Sequence, residues 1–62
     1  MNETDRVIDC LTDEIFTALC YSSNAADCLT PEIRNIFLKL WKDSQDHILL
    51  LKSLLPEEFK YL

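Results

Sequence analysis

The chain has 62 residues, 48% of them hydrophobic and 27% charged, with a net charge of −5. That length allows one domain at most, and a chain so short buries only ~60% of its unfolded surface. The composition excludes a disordered chain, the lack of glycine and the two prolines argue against a loop-rich or β-rich fold, and the charge excludes the clustered basic surface that nucleic acids and anionic membranes require.

At the N-terminus Asn2 or Thr4 can cap a helix, with Glu3 and Asp5 favourably placed in its first turn. The spacing predicts a first helix over residues 5–27. Ile8, Leu11, Ile15, Ala18, Leu19, Ser22 and Ala26 form one face, flanked by Val7 and Ala25. Toward its C-terminal end the face narrows to small residues, which let a neighbouring helix come close. Ser22, Ser23 and Asn24 compete with the backbone for hydrogen bonds. Continuity is nevertheless expected, because Ala25 and Ala26 stay in phase. Asp5, Asp9 and Asp13 recur every four residues, with Asp27 returning to the same sector. This acidic stripe is either a solvated face or a surface for a basic partner.

Residues 28–29 are a short connection, so the two helices should be antiparallel neighbours. The second helix is expected over residues 31–55, capped by Thr30, with Pro31 at its first position and Glu32 in its first turn. Pro56 ends it. Ile33, Ile36, Phe37, Leu40, Ile48, Leu51, Leu54 and Leu55 share one sector at ~100° per residue, with Trp41 on its border and the polar Ser44 and His47 within it. Leu38, Leu49 and Leu50 lie outside that sector. The helix is therefore apolar on several faces around residues 48–51, and one partner helix cannot cover it. A short helical turn is expected over residues 57–61, with Phe59 and Leu62 folding back over the open end of the hairpin.

The charge is uneven. Residues 1–31 carry six acids and one base, and residues 32–62 carry five of each. The three cysteines, Cys10, Cys20 and Cys28, form no Cys-x-x-Cys pair. With no signal peptide ahead of them they read as free thiols in a reducing, cytoplasmic compartment. No apolar run reaches transmembrane length.

His47 is the only histidine. A carboxylate-bridged metal bundle would place Glu three residues before a histidine, and here that position is Ser44. Glu14 is expected to project away from the apolar face of the first helix. His47 is thus read as a histidine hydrogen-bonded inside or at the rim of a bundle interface. Nucleophilic catalysis needs a cysteine and a histidine in contact, an orienting group and a cleft, and two helices do not make a cleft. No phosphate-cradling loop is possible without glycine. No enzyme activity, cofactor, metal or small-molecule substrate is expected.

The run Leu29, Thr30, Pro31, Glu32, Ile33 and Arg34, followed by Leu40, Ser44, His47, Ile48, Leu51, Leu54 and Leu55, resembles the second helix of spore coat protein F-like domains. These are small ferritin-like helical proteins of spore-forming bacteria. The likeness extends back to Cys10, Leu11 and Tyr21, covering about residues 8–55. It implies a helical-hairpin or four-helix-bundle fold, a structural coat or coat-associated role and no enzymatic activity, although members are often longer and carry more helices. Asp5, Arg6 and Val7 with Leu11, Ala18, Leu19 and Tyr21 are also similar to the N-terminal helix of the Mediator subunit 21 family.

The expected fold is all-α, an antiparallel helical hairpin with a short C-terminal turn, pairing into a four-helix bundle because the second helix has surplus apolar surface. The expected function is a non-enzymatic structural or scaffold role through helix–helix self-association, as a homodimer or larger, or with another helical protein. The alternative is a small acidic regulator that binds a partner through its helical face and the Asp5, Asp9 and Asp13 stripe. The candidate interaction residues are Ile33, Ile36, Phe37, Leu40, Trp41, His47, Ile48, Leu51 and Leu54, with Asp5, Asp9 and Asp13.

Overall fold

In a computed structural model, residues 2–59 are described. Helix α1 runs Glu3–Asp27, helix α2 runs Pro31–Ser53, and a single 3-10 turn covers Glu57–Phe59. The described residues form an all-helical hairpin in which α1 and α2 pack against each other. The remainder of the expected C-terminal turn, with Tyr61 and Leu62, lies outside the described residues.

Local chemistry sets the helix ends. Asn2 caps α1, its side-chain oxygen accepting from the Asp5 N–H at 2.8 Å. That cap starts the helix at Glu3, two residues earlier than its apolar pattern suggests. Thr30 sits at the cap position of α2, but its side chain makes no capping bond. The first intrahelical bond there comes from the backbone, Arg34 N–H to the Thr30 carbonyl at 3.0 Å. Pro31 supplies the helical φ in advance, so entry does not depend on the hydroxyl. At its far end α2 tightens before it stops. Leu54 N–H donates to the Leu51 carbonyl and Leu55 N–H to the Lys52 carbonyl, both at 3.1 Å. These three-residue steps close the helix at Ser53 rather than at Leu55.

Ser22, Ser23 and Asn24 do not break α1. Ser22 Oγ donates to the Leu19 carbonyl at 3.1 Å, and Asn24 Nδ2 to the Cys20 carbonyl at 2.8 Å. The side chains of Ser22 and Asn24 are spent on their own helix, so the competition that would unwind it is turned inward.

The turn is held from the other side. Arg34, in the first turn of α2, donates from Nε at 3.1 Å and from Nη2 at 2.7 Å to the Cys28 carbonyl. The last turn of α1 carries no basic residue of its own. Arg34 thus supplies the cation that the negative end of the α1 dipole favours, and it ties the two helices together across three residues. Replacing Arg34 with Gln should lower the stability of the hairpin by about 1 kcal/mol, since the group is solvent-exposed. The same substitution at Lys39 should leave the thermal melt nearly unchanged, and equal melts for the two variants would contradict the clamp.

The packed face of α1 differs from the expected one. A strict alternation of three and four runs through Thr4, Val7, Leu11, Glu14, Ala18, Tyr21, Ala25 and Cys28, and each of these is buried or half-buried. Of the expected face, Ile8, Leu11, Ala18 and Ser22 are buried or half-buried, as are the flanking Val7 and Ala25, but Ile15 is 43% and Leu19 59% exposed, and Ala26 is exposed. The helix is thus turned by roughly 60° from its most apolar direction, at ~100° per residue. On α2 the contact is made by Phe37, Ser44, Ile48 and Leu51, with Leu55 just beyond the helix end, while Ile33, Ile36 and Leu54 are left exposed. Small side chains explain the rotation. The most deeply buried residues are Ala18, Ala25, Ser44 and Leu55, and three of these four let the backbones approach closely. Bulkier side chains flank that seam instead of separating the helices. Near the turn, Tyr21 and Phe37 meet with ring centroids 6.4 Å apart and planes tilted by 39°, within the range of favourable aromatic pairs.

The result is an elongated object of 43 × 17 × 15 Å. Its radius of gyration is 13.9 Å, against about 11 Å for a compact domain of this length. Its accessible surface is 4917 Å², against about 4,200 Å² for a compact protein of this mass. No large side chain among the described residues is fully buried. One hairpin therefore leaves much of its apolar surface in water.

Candidate interaction surface

Two long sides of the hairpin carry different chemistry. On the first, Cys10, Asp13, Glu14 and Thr17 of α1 and His47, Leu50 and Leu51 of α2 line a shallow groove of about 470 Å³. Its polar centre is a cross-helix pair, His47 Nδ1 and Glu14 Oε1, at 3.0 Å. Glu14 is placed here by the three–four alternation of α1, because it falls one turn from both Leu11 and Ala18. Its side chain is 27% exposed and that of His47 56%. Glu14 was expected to project away from the apolar face of α1; in the structure it faces α2 and orients the imidazole. His47 stands at the rim and is not buried. In so exposed a position the pair contributes about 0.2–1 kcal/mol, so its value is orientation more than stability. Cys10 lines the same groove, but no hydrogen bond joins it to His47 among the described residues.

The second side is lined by Ile15, Ala18 and Leu19 of α1 with Trp41, Gln45, Ile48 and Lys52 of α2, around a smaller groove of about 270 Å³. Trp41 is 39% exposed here, so part of its surface remains available beside the packing of α1 on α2. A third hollow at the open end of the hairpin is lined by Glu3, Thr4, Arg6, Val7, Leu54 and Pro56. Phe59 of the 3-10 turn is half-buried.

The expected interaction residues thus divide. Phe37, Ile48 and Leu51 are half-buried in the contact between α1 and α2. Ile33, Ile36, Leu40, Trp41 and Leu54 remain 36% to 66% exposed. Leu49 and Leu50, outside the expected stripe, are 67% and 66% exposed. Asp5, Asp9 and Asp13 are all exposed and form no ion pair among the described residues. Cys10, Cys20 and Cys28 are free. Among the described residues no group of three or more potential ligands is placed to hold a metal ion, and no helix is long and apolar enough to cross a membrane.

The class that fold and surface define is an all-helical hairpin with apolar side chains exposed on both sides. Compared with protein families, curated proteins and solved structures, the chain matches none.

Proposed function

We propose that this chain is a non-enzymatic structural or scaffold protein that acts by helix–helix self-association, two hairpins pairing into a four-helix bundle. One observation carries the reading: Ile36, Leu49 and Leu50 on α2, Leu54 at its C-cap, and Phe16 and Leu19 on α1 are each at least 59% exposed on a hairpin of 62 residues. Isolated apolar residues on a surface are ordinary, but rows of them on an elongated hairpin mark an interface. Covering one long side with a second copy removes that surface from water and supplies the core that a chain of this length cannot build alone. The role uses no cofactor, nucleic acid or small molecule, and it suits a reducing cytoplasm in which the three thiols stay free.

The test is molar mass by light scattering after size exclusion, at low and high salt. A dimer or larger species at both salts is expected, because apolar burial is not screened. A helical monomer at every concentration would sink the reading.

A second reading is favoured by the exposed and unpaired Asp5, Asp9 and Asp13. On it, the chain is a small acidic regulator that holds a basic partner through α1. Binding would then weaken with salt, and Asp9→Lys would reduce it. Binding unaffected by Asp9→Lys would remove this alternative.

A further inference from the structure

Self-association, the reading on which the following inference rests, has two long sides to choose between, and they are not equivalent. At ~100° per residue, Ile36, Leu40, Asp43, His47 and Leu50 fall in one sector of α2, about a quarter-turn from the side that packs on α1, and Leu54, the C-cap residue of α2, continues the row. Ile36, Leu50 and Leu54 are 62%, 66% and 66% exposed and Leu40 36%. The steps along this row are four, three, four, three and four, the spacing of a coiled-coil seam. The row is also symmetric about position 45. Laid against a reversed copy of itself, Ile36 meets Leu54, Leu40 meets Leu50, and Asp43 meets His47.

We infer that two copies pair through this seam of α2, antiparallel about a two-fold axis, with Asp43 of each copy facing His47 of the other. The two polar residues that interrupt the row are then each other's partners. Glu14 occupies His47 Nδ1 at 3.0 Å, which leaves Nε2 as the free ring nitrogen, and Asp43 makes no hydrogen bond or ion pair among the described residues. Two such symmetry-related polar pairs in an apolar seam fix register and orientation, since a slip leaves these groups without partners.

Charge selects the same helix. Along α1 there are six acids and one base, for −5, and along α2 three acids and four bases, for +1. Copies meeting through α1 bring like charges together, whereas copies meeting through α2 do not. The exposed Phe16 of α1 also shares its sector with Asp5 and Asp9.

The experiment compares the full chain with Leu50→Glu and Leu19→Glu by light scattering across a concentration series, with circular dichroism to follow the fold. The wild type and Leu19→Glu should be dimeric, and Leu50→Glu should be a helical monomer. So that the test does not depend on Leu50→Glu keeping its fold, register is read separately by disulfide trapping, with Cys10, Cys20 and Cys28 replaced by Ser. Leu40→Cys with Leu50→Cys in one chain should cross-link into a covalent dimer, and either substitution alone should not. A wild type that is monomeric throughout would overturn self-association itself. A dimer that survives Leu50→Glu but not Leu19→Glu would leave self-association standing and overturn this seam. Loss of assembly in both glutamate variants, or cross-linking by Leu40→Cys alone, would overturn the two-fold register.

Discussion

Replacing Leu55 with alanine should lower the stability of the hairpin by about 2–3 kcal/mol, at the low end of the range for a buried leucine because the site lies near an end of the molecule. Leu55 is 7% exposed, and it is the one large apolar side chain among the described residues buried to that degree. It lies just past α2, where the bond from its N–H to the Lys52 carbonyl at 3.1 Å holds the tightened last turn. Truncation removes the transfer free energy of the side chain, and it leaves a gap that a helix end anchored by Pro56 cannot readily close. For a domain whose whole stability is on the order of 5 kcal/mol, that is a large share. The melting temperature should fall by about 10–20 °C at fixed protein concentration. Leu29, at 90% exposure, is the matched control, and its alanine variant should melt within about 0.5 kcal/mol of the wild type. Equal melts for the two variants would show that the C-terminal end of α2 does not pack as described.

Enlarging Ala18 to leucine should also destabilise, by about 1–3 kcal/mol. Ala18 is 4% exposed and sits midway along α1, in the row that faces α2. The larger side chain has to turn out into the groove that Ala18 helps to line, adopt an off-rotamer conformation, or separate α1 from α2. Separation would also strain the Glu14–His47 pair and the Tyr21–Phe37 contact, which lie one turn to either side along α1. The same change at Ala26, one residue beyond the buried Ala25 but exposed, should be nearly neutral. Chemical denaturation of the two variants side by side is the measurement. If Ala18→Leu raised stability, the helices would not be in close contact at that position and the small-residue seam would have to be abandoned.

Both substitutions test a contact face that periodicity pointed to only approximately. The two helices, the short link, the proline that opens α2 and the proline that follows it are read from local rules, which act over a few residues. Even the suspect run at Ser22, Ser23 and Asn24 was resolvable in principle, since side chains of that kind can bond back to their own helix. The site was less legible. Glu14 and Tyr21 belong to the buried side of α1, yet neither adds to an apolar face in the way that Ile15 and Leu19 do. The signal that places them is the strict alternation of three and four from Thr4 to Cys28, which averages of hydrophobicity dilute. His47 was marked by its position on α2. Its partner could not be, because Asp43 and Asp46 are nearer in sequence while Glu14 is 33 residues away.

By itself, the sequence determined that this protein is helical, that it has two arms of matched length, and that α2 holds more apolar surface than one neighbour can cover. Those are properties of residue type and spacing. Only the tertiary structure decided which side of each helix is buried, because that choice balances close approach against side-chain area. Ala18, Ala25 and Ser44 won the centre by being small. The larger Ile36, Leu50, Leu54, Leu19 and Trp41 were left at the flanks, where a second chain can reach them.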